Sequence, residues 1–200
     1  MPTTTRSSTG LAPSTFPGGY FPDGRREVCY EALVSAGITL ERIPGPDTAV
    51  FVGSYTADYQ QMPTRDADFR HNYAATGADP RITNNRIGRM LNSRGPSFTA
   101  NTACSSSVYA IHNACHALRM RDRDAAVTAG VNLTTTVDQH MNTAKPGILF
   151  PTSTCHTFDA SADGYGRAEG AGAVFPKRLS DAVRDGDPIR GVIRSSAVNT

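Results

Sequence analysis

The stretch SFTANTACSSSVYAIHNACHALRMRDRDAAVTAGV, residues 97–131, constrains the fold more than any other part of the chain. Ser97 to Ala100 is predicted as a short strand leading to Cys104. Ser105 to Met120 follows as a helix, with Val108, Ile111, Ala114, Cys115 and Leu118 as its inward stripe. Ala125 to Val131 is a continuous run of small apolar residues, typical of a strand covered on both faces as in parallel sheets flanked by helices. Strand, helix and buried strand in close succession point to an α/β architecture. Cys104 falls at the joint between the first two.

The rest of the chain fits that reading. Two hundred residues make one domain, or part of one, the default. Residues 1–24 are rich in Ser, Thr, Pro and Gly without an apolar period, so they are expected to form a flexible arm ahead of a folded region over 25–200. Arg25 to Ala36 carries Val28, Ala32, Leu33 and Ala36 at helical spacing, stopped by Gly37. Thr48 to Val52 reads as a buried strand. Tyr55 to Arg81 is polar and broken by Pro63, Gly77 and Pro80, and only a short helix near Asp66 to Ala75 is assigned there. Thr83 to Leu91 is predicted helical. A Gly-rich stretch from Gly164 to Gly172 precedes a strand at Ala173 to Pro176, a helix at Leu179 to Arg184 and a strand at Gly191 to Val198.

Composition removes several classes of function. With 38% hydrophobic and 19% charged residues and a net charge of +2, the chain presents no strong field for nucleic acid or anionic lipid. No apolar run approaches the length of a membrane span and the N-terminus lacks a signal-peptide core, so the cytoplasm is the expected compartment. Cys29, Cys104, Cys115 and Cys155 lie far apart without a C-x-x-C pair, which fits reduced thiols better than zinc or a disulfide framework.

A strand that delivers Cys104 to small residues at the start of a long helix brings its sulfur to unpaired amides and the positive end of the helix dipole, a setting that favours the thiolate. The same amides suit a developing oxyanion when a thioester carbonyl is attacked. Ala103, Ser105 and Ser106 leave room for an acyl chain. The plain alternative is a core cysteine followed by serines that cap the helix.

NTACSSS, followed by VYAIHNACHALR and AAVTAGVN, resembles the nucleophile segment of β-ketoacyl synthases, above all those of iterative fungal polyketide synthases. VCYEALVSAGITLERIPGPDTAVFVG, NRIGRMLNSRGPSFT and CHTFDASADGYGRAEGAGAVFPKRLSDAVRDGDPIRGVIRSSAVNT are similar to further blocks of the family, in the same order, so the resemblance spans about residues 18–200. It implies the N-terminal half of a thiolase-like αβαβα sandwich, with a mixed, mostly parallel sheet flanked by helices. It also implies an acyltransferase of the ketosynthase kind. Cys104 would take an acyl group from the phosphopantetheine of an acyl carrier protein or domain, and a malonyl thioester would then condense with it by decarboxylative Claisen chemistry. No cofactor is implied on the chain itself, and a homodimer or a complementary synthase half is the implied partner. The family's two catalytic histidines lie in motifs beyond Thr200, so the chain by itself is expected to be impaired. The alternative is an inactive fragment that serves only as an interaction or pairing module.

Other candidates are weaker. His112 and His116 lie eight and twelve residues beyond Cys104 on one helix, about 12 and 18 Å along its axis, and a structural role is preferred for both. HNACH lacks the glutamate of H-E-x-x-H and any third ligand, so no metal is expected. DGYGRAEG precedes a strand instead of opening a helix, which rules out a dinucleotide loop. Asp163 and Glu169 are expected as buried, hydrogen-bonded scaffold, and Lys177 and Arg178 as solvated charge. Asn101 stands where the family has an aspartate. A cysteine hydrolase lacks a Cys, His and Asn/Asp set.

Overall fold

The computed structural model describes residues 25–39, 47–55, 58–65, 68, 77, 79–80, 82–149 and 151–199. The arm over 1–24 and nearly all of the helix expected near Asp66 to Ala75 lie outside them. The elements are α1 Arg25–Ser35, β1 Thr48–Ser54, α2 Asp58–Arg65, α3 Ile82–Met90, β2 Ser97–Ala100, α4 Ser106–Arg119, β3 Ala125–Asn132, α5 Val137–Ala144, β4 Gly170–Val174 and α6 Leu179–Asp185.

The four strands form one sheet in the order β2-β1-β3-β4. β1 pairs in parallel with β2 on one side and β3 on the other, and β3 pairs antiparallel with β4. This is the mixed, mostly parallel sheet that the sequence implies. From β1 the chain leaves to one side for β2, then crosses back over β1 to reach β3. Crevices between strands whose connections diverge in this way are where open α/β sheets place their ligand sites, at the carboxyl ends of the strands.

All of β1 is buried, and the strand period of two sends its side chains alternately to two cores. Val50 and Val52 join Cys29, Leu33, Ile87, Leu91, Val127 and Ala129 under α1 and α3, whereas Ala49, Phe51 and Ala126 meet Ala110, Ala114 and Ala117 of α4. Leu33 and Ile87 are essentially solvent-free, and each such side chain contributes about 1.5–3 kcal/mol by leaving water.

The two cores differ in composition because the helices approach the sheet differently. A Cβ added at Gly53 would fall 2.4 Å from the amide nitrogen of Ser107, and one at Gly130 would fall 3.0 Å from the Ser107 Cβ. Gly53 and Gly130 are register partners in β1 and β3, so they form one small patch on which the first turn of α4 rests. Of the expected stripe, Ala114, Cys115 and Leu118 are buried, Ile111 is half-buried and Val108 is exposed, and the close approach adds the small Ala110 and Ala117 to the inward face.

Two further expectations shift. The last strand lies three residues earlier than Ala173, although an isolated bridge at Lys177 to Ala125 continues its pairing with β3. Gly191 to Val198 has no strand pairing among the described residues. It runs antiparallel along α4, where Tyr109 donates to the Asn199 carbonyl (2.6 Å), His112 Nδ1 meets Ser196 Oγ (3.1 Å) and Arg119 donates to the Arg194 carbonyl (3.3 Å). Its β-branched residues satisfy strand propensity, yet its bonds are made with side chains instead of a neighbouring strand.

Candidate active site

Cys104 lies between β2 and α4 and its side chain is exposed. The turn that carries it is tight. Ala103 adopts φ 56°, a left-handed conformation uncommon for a residue with a Cβ. Such a conformation persists only where the surroundings fix it, and two serines do so here. Ser106 Oγ accepts from the Thr102 amide (2.9 Å) and donates to the Ala103 carbonyl (2.6 Å), while the Ser106 amide also reaches that carbonyl (3.2 Å). Ser105 Oγ donates to the Thr102 carbonyl (2.7 Å). Ser105 occupies the N-cap position but makes no side-chain cap bond. The serines thus brace the cysteine turn and do not cap the helix. Asn101 Oδ1 accepts from the Ala103 amide (3.4 Å), so Asn101 supports the turn without a charge.

A cleft of about 1120 Å³ opens at this end of the sheet, lined by Cys104, Ala103, Ser107, Gly53 and Gly130 together with the start of β4. Ile111, Val131, Ile148, Ala171 and Ala173 add apolar lining, which suits an acyl chain with a thioester at one end. A second wall is polar: Gln139, Asn142 and Thr143 of α5, and Arg167. Neither α5 nor Arg167 was legible as part of the site, because the polar run from Thr134 to Lys145 has no core-facing period.

The remaining candidates fall outside the cleft. His112 is half-buried against Ser196 and His116 is exposed near the C-terminal end of α4. Glu169 accepts from the Thr134 amide (2.5 Å), which makes it scaffold; contrary to expectation, Glu169 and Asp163 are both exposed, because residues 151–163 and 168–172 lie on the surface. Lys177 and Arg178 are not free surface charges either. Lys177 bonds Asp185 (2.5 Å) and Asp187 (2.6 Å), and Arg178 bonds Asp181 (2.6 Å) and Asp124 (2.5 Å). Burial works against the Lys177 ammonium, but the two aspartates outweigh it and hold its pKa above the usual lysine range. Among the described residues no group of three or more His, Cys, Asp or Glu is placed to hold a metal ion, and no helix is long and apolar enough to cross a membrane.

Residues 26–182 match the family model for the beta-ketoacyl synthase, N-terminal domain. The chain is 64% identical over 173 residues to the reducing polyketide synthase DEP5 of Fusarium langsethiae and 53% identical over 173 residues to the highly reducing polyketide synthase fogA of Aspergillus ruber, covering 86% of this chain each time. It spans 7% of the length of these relatives. Among solved structures, the ketosynthase from module 6 of the bacillaene synthase from Bacillus subtilis 168 superposes with a TM-score of 0.73 at 33% identity, over 82% of this chain and 27% of that one. The oxazolomycin ketosynthase domain OzmH KS7 of Streptomyces albus superposes with a TM-score of 0.72 at 34% identity, over 82% and 29%.

Proposed function

The chain belongs to the β-ketoacyl synthase family, matched in its N-terminal domain, and on that premise we propose that Cys104 is the acyl acceptor of a polyketide-type condensing reaction. The observation that carries this reading is the exposed sulfur at the start of α4, on a braced turn, beside a cleft large enough for an acyl chain. The thiolate of Cys104 attacks the carbonyl carbon of an acyl thioester and a new carbon–sulfur bond forms. The tetrahedral intermediate collapses as the carrier's phosphopantetheine sulfur leaves and takes a proton. The Ser106 amide is engaged by the Ala103 carbonyl, and the other first-turn amides of α4, which have no acceptor within the helix, are suited to the transient oxyanion. In the second half-reaction a malonyl thioester loses carbon dioxide, and the resulting carbanion attacks the Cys104 thioester and releases the cysteine.

The substrates are accordingly acyl and malonyl thioesters carried on phosphopantetheine, and the partner is an acyl carrier protein or domain. The same reading places the work in the cytoplasm, where a reduced Cys104 persists. For the 200-residue chain assayed by itself, we expect self-acylation without efficient condensation, because histidines assigned to decarboxylation in the family have no counterpart near Cys104 among the described residues.

Incubation with an acyl thioester followed by intact-mass measurement and peptide mapping tests this. One acyl mass on wild type, mapped to Cys104 and absent from Cys104→Ala, is the expected result. An adduct of equal extent on Cys104→Ala, or one confined to the exposed Cys155, overturns the assignment.

A further inference from the structure

α5 lines the cleft through Gln139, Asn142 and Thr143, yet none of its residues is buried and its apolar Val137 and Met141 face water. Apolar packing, the usual source of helix stability in proteins, is therefore not what holds it. Its attachments are polar. The carboxylate of Asp58, itself only 3% exposed, accepts from the amides of Thr135 (3.2 Å) and Thr136 (3.3 Å) at the helix start. That places a negative charge where the helix dipole is positive. At the other end Arg167 donates to Thr143 Oγ1 (3.5 Å) and to Thr134 Oγ1 (3.3 Å) in the preceding loop. Gln139 donates to Tyr55 (3.3 Å), and an exposed pair joins Arg65 to Asp138, a kind of contact that adds little. One Arg167 nitrogen is buried without a hydrogen-bond partner, so this end of the helix is held by an incompletely satisfied clip.

We propose that Asp58 and Arg167 are positioning residues that fix α5 as a wall of the cleft and so set the length of acyl chain admitted to Cys104, an inference that rests on the acyl-acceptor reading above. Asp58 acts on the cleft through a helix that has no buried residue of its own, and Arg167 both clips that helix and lines the cleft beside it.

The experiment does not use acyl transfer, so its failure is separable from failure of that reading. Wild type, Asp58→Ala and Arg167→Gln are alkylated with iodoacetamide and with an iodoacetamide bearing a long alkyl chain, and rates at Cys104 and Cys155 are mapped by peptide. Amide hydrogen exchange is followed over 137–144. In wild type, α5 is expected to exchange faster than β3. In both variants exchange over 137–144 rises about tenfold, on the order expected for a lost charge-assisted bond, and the long-to-short rate ratio rises at Cys104. For Asp58→Ala the ratio at Cys155 stays constant. Exchange of α5 as slow as that of β3 in wild type overturns the proposal even if a variant fails to fold, and so does an unchanged ratio at Cys104 in folded variants.

Discussion

The sulfur of Cys104 is only as useful as the turn that aims it, and two neighbours carry that load. Ser106 Oγ satisfies both the Thr102 amide and the Ala103 carbonyl. Ser106→Ala removes this brace from a buried position, with an expected stability loss of about 1–3 kcal/mol and a larger proportional loss in the rate of Cys104 acylation. Thermal melts and timed mass spectra measure the two; a melting point and a rate that both match wild type count against the brace. Gly53→Ala is expected to be worse, because the new Cβ meets the Ser107 backbone at 2.4 Å and backbone yields less readily than a side-chain tip. Overpacking of that kind costs about 1–3 kcal/mol and lifts the helix start away from the sheet. A Gly53→Ala melting point equal to wild type disproves the close approach. The place of Cys104 is legible in the sequence because strand, cysteine and helix are contiguous. The roles of Gly53 and of the serines are not, since one depends on residues 53 and 107 meeting in space and the other on a left-handed Ala103.

Elements with an apolar period are legible; among those held by polar contacts α6 is legible as a helix over Leu179 to Arg184, and α5 is not. β1, β3 and α4 announce themselves through buried runs, whereas α5 has no inward stripe and α2 spans Pro63, whose missing amide argues against a helix. Gly191 to Val198 shows the converse, strand-forming residues without a strand partner among the described residues. α6 is docked by charge. Arg184 first, then Lys177, holds the Asp185 carboxyl at a pKa of about 2 against the usual 3.8. A carboxyl whose folded pKa is depressed adds stability that is complete above its unfolded value and is lost as pH falls toward the folded one. Melting temperature is therefore expected to fall between about pH 4 and pH 2. Asp185→Asn should flatten that part of the profile, and parallel acid profiles for the two proteins would rule out Asp185 as a contributor.

Among the described residues, several large apolar side chains stand in water. Phe158 is fully exposed at 106% with φ 63°, and Val137, Met141, Ile148, Val183 and Val192 are about half exposed or more. Among the described residues, β2 and β4 are the sheet's outer strands, each paired on one side only. Unpaired strand edges and exposed apolar residues favour association, and the cleft itself stays open between α5 and β4. Self-association that reverses on dilution is the outcome expected of these exposed groups, and concentration-dependent size-exclusion chromatography measures it. Phe158→Asp separates this from loss of fold, because the ring makes no buried contact and aspartate tolerates the left-handed backbone better than phenylalanine. The variant is expected to melt within about 0.5 kcal/mol of wild type, as surface changes usually do, to bind less of a dye that reports exposed apolar surface, and to elute later from size-exclusion columns at matched concentration. A wild-type chain that remains a monomer at high concentration and binds no such dye would mean that the open apolar surface seeks no partner.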